Sequence, residues 1–239
     1  MSNCNNCYQD LSGKYCANCG EPAITKRIDA HYMMHEVEHV LHFERGILFT
    51  VKALLTKPGQ SVREFILQNR RRLVKPIIFI IITSLIYTLV NHFFHIEGGY
   101  VNFDGIKSPA TAFIFTWIQD HYGYANIIMG MFVAIWLKVF FRKYDYNFFE
   151  ILILLCFVMG MEMLMFSVFA LFEGLTKINF MEAAGVIGIC YCTWAIGQFF
   201  DKKKPINYLK ALISYALGMF AFAFSALLSG LLIDVIVHR

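Results

Sequence analysis

Four cysteines open the chain in two pairs, Cys4-Asn-Asn-Cys7 and Cys16-Ala-Asn-Cys19-Gly20, with eight residues between the pairs. Two residues between paired thiols is metal-ligand spacing, because a tight turn lets both sulfurs reach one ion. Two such knuckles complete a tetrahedral four-thiolate set for Zn²⁺. Ser12-Gly13, lying between Tyr8 and Tyr15, is a turn signal between the knuckles, and Gly20 allows the backbone to curl back toward the sulfurs. A disulfide framework is the competing use of this spacing, and a reducing cytoplasm disfavours it. Four thiolates fill the coordination sphere, so the zinc expected here is structural, and so small a head needs it to fold.

A second constellation follows at once. Asp29 to Glu44 carries His31, His35, His39 and His42. On a helix these four fall within an arc of roughly 80°. Met33, Met34, Val37, Val40 and Leu41 take the opposite side, so the imidazoles form the polar stripe of an amphipathic helix. Within it His35-Glu36-Val37-Glu38-His39 matches HExxH, in which two imidazoles one turn apart bind Zn²⁺ and the Glu polarises its water. A metzincin would continue with Gly at position 42 and His at 45, where His42 and Arg45 stand. The N-terminal segment is also too small to supply a substrate cleft. Three uses of the stripe stay open: a second, non-catalytic metal site on His31, His35, His39 or His42; a solvated or membrane-facing polar face; and a metallohydrolase using His35, Glu36 and His39.

Most of the chain that must position these groups belongs in a bilayer. Of the 239 residues 58% are hydrophobic and only 16% charged, with mean hydropathy +0.54, which excludes an ordinary water-soluble domain. Apolar runs long enough to cross a membrane lie near 76–94, 124–141, 149–172, 180–200 and 208–236. Arg142 and Lys143 follow the second run, and Lys202, Lys203, Lys204 and Lys210 lie with Asp201 around the break between the fourth and fifth. Lys107 and Lys177 stand alone in the other two connections. That asymmetry puts the cation-rich loops and the N-terminus in the cytoplasm and the C-terminus outside. The first 30 residues hold no continuous apolar stretch of the kind an exported segment needs, which agrees with a cytoplasmic N-terminus. Between runs one and two, Ser108-Pro109 signals a helix of about a dozen residues, too short to span. It is expected to lie on the outer surface with Trp117 and Tyr122 at headgroup level, a re-entrant piece being the alternative.

Between head and spans, Gly46 to Lys57 presents Ile47, Leu48, Val51, Leu54 and Leu55 along one stripe. Pro58-Gly59 then breaks the chain, and Ser61-Val-Arg-Glu64 reads as a capping box opening a second amphipathic helix on Val62, Phe65 and Ile66. These two helices read as interfacial elements under the bilayer, or as helices that pack on each other. Residues 1–75 carry 11 Lys/Arg against 7 Asp/Glu, whereas residues 76–239 carry ten of each, so the net charge of +4 resides in the N-terminal part. Arg63, Arg70, Arg71, Arg72 and Lys75 concentrate it directly before Pro76, where cations meet anionic headgroups. Nucleic acid, the other usual partner of a basic patch, is not expected, because no recognition module accompanies this one.

Within the runs, Glu162 sits among Met159-Gly-Met-Glu-Met-Leu-Met, near the hydrocarbon core, where a carboxylate is costly unless protonated, paired or facing water. Glu182 and Asp234 fall near outer span ends. They either join Glu162 in a proton or cation site or are solvated at the interface. Ala184, Gly188 and Cys192, Ser214 with Gly218, and Ser225 with Ser229 are spaced four apart, giving small faces for close helix packing. Cys156, Cys190 and Cys192 read as small core residues without redox roles, and His92 and His95 as surface histidines at the outer end of the first span. No Walker loop, dinucleotide fingerprint or nucleophile elbow is present.

Cys16-Ala-Asn-Cys19-Gly20, His35-Glu36 with His39, Gly46-Ile-Leu-Phe-Thr50, Leu54-Leu-Thr-Lys-Pro58-Gly59, and Asn69-Arg70 with Lys75-Pro76 together resemble a bacterial membrane-protein family catalogued as domain of unknown function 3667. The likeness covers about the first 95 residues. It implies a zinc-ribbon head on a multi-pass membrane domain and no established reaction.

The chain is thus read as an all-α multi-pass membrane protein. Residues 1–24 form a zinc ribbon, 25–75 cytoplasmic or interfacial amphipathic helices, and 76–239 a five-span domain in a bacterial inner membrane. The leading functional expectation is a non-enzymatic protein whose zinc ribbon docks a protein partner or regulates the membrane domain, alone or as a homo-oligomer. A small proton- or cation-coupled transporter or channel using Glu162 is the alternative, and the metallohydrolase stands third.

Overall fold

The computed structural model describes residues 9, 10, 13, 17, 18, 46–68, 72–94 and 109–237. By contact the chain divides into Met1–Arg45 and Gly46–Arg239. In the second unit every described element is helical: α1 (Gly46–Thr56), α2 (Pro58–Leu67), α3 (Pro76–Phe94), α4 (Pro109–Asp120), α5 (Tyr122–Phe140), α6 (Phe148–Thr176), α7 (Met181–Asp201) and α8 (Pro205–Val237). Five of these, α3 and α5 to α8, are long and apolar enough to cross a bilayer, and they fall on the five expected runs. The chain has the build of a multi-pass integral membrane protein.

Helix α6 is the centre. It is apolar on every side, and 72% of its most apolar stretch is buried against 17% for α8, so α6 is the helix the others surround and α8 the one that offers most surface to lipid. Helices α3, α5 and α7 pack on α6, and α8 packs between α5 and α7. Close approach is set by small residues. Gly160 of α6 meets the Phe79 ring and Ile80 of α3, and Gly218 of α8, as its four-residue spacing from Ser214 predicts, lies against the backbone of Val133 in α5.

The ends are stopped by specific chemistry. Pro76 begins α3 as expected. Asn147 caps α6 in a capping box: its side chain accepts from Glu150 N at 2.9 Å, and the Glu150 carboxylate accepts from Asn147 N at 2.8 Å. The expected box at Ser61 and Glu64 does not form. Helix α2 begins four residues earlier, with Lys57 as its N-cap, Pro58 in its first turn and Ser61 already bonded to Lys57 O within it, and the Glu64 side chain instead pairs with Arg72 at 2.8 Å. Proline preorganises the first turn, and Gly59 is the contact that seats α2 on α7, so the earlier start wins.

Helix α4 also departs from expectation. It does not lie across the bundle end but runs along α8 in the opposite direction. Ala110 N donates to the Asp234 carboxylate at 3.1 Å, Thr111 packs at Gly230, and Phe115 and Ile118 meet Ala226. With only His121 between them, α4 and α5 together line α8, whose 33 residues extend about 50 Å.

Candidate functional site

Three helices bring polar groups to one buried point. Glu162, fourteen residues into α6, is 1% exposed. From α8 the Tyr215 hydroxyl donates to Glu162 Oε2 at 2.7 Å. From α7 the Cys192 thiol is within hydrogen-bonding reach of both Glu162 and Tyr215. Gly188, one turn before Cys192, leaves the space the carboxyl fills: a Cβ there would stand 2.7 Å from Glu162 Oε1 and 2.9 Å from the Phe166 ring. Among the described residues neither ion pair involves Glu162, so its partners are hydroxyl and thiol rather than a cation. Beside Tyr215, the Ser214 hydroxyl is fully buried without a hydrogen-bond partner.

The cluster reaches the N-terminal helices through its neighbour on α7. The buried Tyr191 hydroxyl donates to Leu54 O of α1 at 3.1 Å. About two turns further along α7, Gly59 N of α2 donates to the Gln198 side chain at 2.9 Å and the Arg63 guanidinium donates to Gln198 O at 3.3 Å. Gly59 also lies so close to the Gln198–Phe199 backbone that no side chain fits there. Phe65 of α2 meets Phe157 of α6 edge-on at 5.2 Å. Thr50, fully buried in α1, accepts from Val74 N at 3.1 Å. The apolar side of α2 is therefore buried on the bundle itself, whereas α1 buries Thr50 and Leu54 and leaves Leu48 and Leu55 of its expected stripe exposed.

At the end of the bundle where α2 docks, the cation-rich connections come together. Phe141 stacks on Phe200 at 3.8 Å, Asn207 donates to the Tyr144 hydroxyl at 2.9 Å, and Lys204 pairs with Asp201 at 3.0 Å, which holds the Lys204 ammonium above its usual range. Tyr146 lies here too; burial pushes its phenol up, and the nearby Arg63 guanidinium acts in the opposite sense. The loops holding Arg142 and Lys143 and holding Lys202 to Lys204 thus share one face, as the charge pattern requires.

The sequence candidates separate cleanly. Glu162 is at the buried cluster, while Glu182 is exposed at the start of α7 and Asp234 serves the first turn of α4, so the three acids do not converge. Among the described residues no group of three His, Cys, Asp or Glu could hold a metal. Cys192, read as a plain core residue, touches the carboxyl, and the Ala184/Gly188/Cys192 stripe makes room for it as well as packing. Of the basic residues before Pro76, Arg63 faces α7, Arg72 pairs with Glu64 and lies 5.4 Å over the Phe49 ring, and Lys75 is exposed. Cys4, Cys7, Cys16, Cys19, His31, His35, Glu36, His39, His42, Arg70 and Arg71 lie outside the described residues. Tyr215 went unnoticed in the sequence. Its local signal was limited to a polar pair, Ser214-Tyr215, in the first third of the last apolar run, which marks a donor without saying which acid it meets.

Residues 44–88 match the family described as "Protein of unknown function (DUF3667)". The match takes in α1, α2 and the first two-thirds of α3, and it supports the resemblance drawn from Gly46–Thr50, Leu54–Gly59 and Lys75-Pro76. No curated protein and no solved structure matches the chain.

Proposed function

We propose that this integral membrane protein is a regulated, non-enzymatic helical bundle, whose cytoplasmic zinc-ribbon head acts on the membrane domain through α1 and α2. One observation carries the reading. The Tyr191 hydroxyl holds Leu54 O of α1, and the next residue on α7 is Cys192, in contact with Glu162 and Tyr215. A shift of α1 is therefore felt at the buried cluster through a single residue step. Cys4, Cys7, Cys16 and Cys19 hold the zinc in this reading. The turn at Ala17-Asn18, between the second pair of thiols, is the local geometry a knuckle requires. The bundle sits in a bacterial inner membrane with its basic face and N-terminus in the cytoplasm, and the head also offers a docking surface for a protein partner.

The test uses the buried thiol as reporter. In protein carrying Cys156→Ser and Cys190→Ser, Cys192 modification by N-ethylmaleimide is followed by peptide mass spectrometry before and after zinc is stripped. Coupling predicts Cys192 labelling about tenfold faster without zinc, because local opening sets the rate at a buried group. Zinc loss that leaves Cys192 labelling unchanged would sink the regulatory reading. The metal content of Cys16→Ser/Cys19→Ser protein, compared with His35→Ala/His39→Ala, assigns the metal to thiolates or imidazoles.

A second reading keeps one favouring observation, a carboxyl buried at mid-helix with hydroxyl and thiol neighbours. As a proton or cation carrier, Glu162 would be essential for flux, and reconstituted Glu162→Gln protein would conduct nothing while keeping its zinc. Undiminished flux in that variant would end it.

A further inference from the structure

A cavity of about 470 Å³ opens between α2 and the end of α7, at the face where the basic loops gather. Its cations come from three places: Lys57 at the start of α2, Arg63 one and a half turns on, and Lys202 just beyond α7. Gln60 and Gln198 add amide groups. The acid in the wall, Glu64, is already engaged, accepting from Arg72 and from Gln60 at 2.8 Å each. The cavity thus presents three positive charges whose nearest carboxylate is spoken for. Arg63 is half-buried and fixed by its bond to Gln198 O, so its guanidinium is held in place rather than swinging in water. Fixed guanidinium with flanking ammonium groups and amide donors is the chemistry that binds phosphate oxygens. The volume suits a ligand the size of a headgroup. At the rim, Leu67 is 65% exposed, an apolar surface beside a polar cavity.

We propose that this cavity binds a phosphate-bearing anion, with Arg63, Lys57 and Lys202 on the phosphate oxygens and Gln60 and Gln198 on its polar substituents. An acidic phospholipid headgroup is the source the setting favours, since the exposed Leu67 and the apolar helices beside the cavity would take an acyl chain. That choice rests on the proposed placement of this face at a bilayer surface, whereas the phosphate chemistry does not.

The experiment measures lipid retained by the detergent-purified full chain, using native mass spectrometry with phosphatidylglycerol, phosphatidylcholine and inorganic phosphate as separate probes. Lys57→Gln/Lys202→Gln removes two cations without touching the docking bonds of Gly59 and Arg63, and Arg142→Gln/Lys143→Gln removes two from the same face outside the cavity. The expected result is phosphatidylglycerol binding weakened roughly tenfold or more in the first variant and little changed in the second, with phosphatidylcholine bound poorly throughout. Displacement of the lipid by inorganic phosphate at modest concentration would confirm the phosphate site and assign it to a soluble ligand. Equal losses in both variants would show general surface attraction and overturn the proposal, as would unchanged binding in the first.

Discussion

Glu162 and Asp234 are both acids placed in long apolar helices, and the protein accommodates them in opposite ways. Glu162 is enclosed in the most buried helix and is answered by side chains from two others, the Tyr215 hydroxyl and the Cys192 thiol. Asp234 is half-exposed near the end of the least buried helix and is answered by a backbone amide, Ala110 N at the start of α4. The first arrangement ties three helices together inside the bundle. The second ends one short helix. An acid whose acceptors are filled by side chains of distant segments depends on the whole bundle, whereas one filled by a helix's first amides depends on that helix alone.

The comparison breaks most sharply at Gly188. Gly188→Ala places a methyl group against Glu162 Oε1 and the Phe166 ring, so either α7 moves off α6 or the carboxyl leaves its donors. We expect a loss of about 1–3 kcal/mol in reversible unfolding from mixed micelles, the range of overpacked cores. Stability equal to the native chain would show that the site is looser than its geometry. No such cost should follow Gly185→Ala on the same helix, where an added methyl meets nothing within 4 Å.

A smaller effect belongs to the hydrogen bond itself. Tyr215→Phe removes the hydroxyl donor to Glu162 and should cost about 0.5–1.5 kcal/mol in the same assay, because interhelical bonds in membranes are modest. Combined with Glu162→Gln, a double-mutant cycle should return a coupling of the same size. Additive losses would show that the two groups neighbour each other without bonding.

These contrasts also mark what a sequence can reveal. Hydropathy located all five long helices, because length and apolarity are local properties of a segment. The charge bias likewise brought the right loops to one face. Partners were not legible: nothing local to Tyr215 or Cys192 says that α6 will turn its acid toward them, and the choice depends on which faces of three helices meet. The two Glu-containing boxes make the same point within one motif. Asn147 to Glu150, not singled out in the sequence, caps α6, while the expected Ser61 to Glu64 box loses to Pro58 and to the seat Gly59 finds on α7. The short helix α4 was read correctly in length and wrongly in course, since its direction is fixed by Asp234 and Gly230, more than a hundred residues away.

The smallest effect sharpens the comparison from the Asp234 side. Asp234→Ala removes a carboxylate acceptor from the first turn of α4, a loss of about 0.3–1 kcal/mol at a helix N-terminus. Because α4 also rests on α8 through Thr111, Phe115 and Ile118, that energy is drawn from one helix and not from the bundle. Global unfolding should therefore shift little, while amide exchange at Ala110 to Ala112 should quicken several-fold and that of α6 stay as it was. If α6 exchange rose with α4, the two acids would belong to one cooperative unit, and the division between a bundle-wide tie and a local cap would have to be abandoned. Asp234→Asn keeps an acceptor but loses the charge, so it should recover part of the protection, and the part it fails to recover measures what the negative charge adds at the amino end of α4.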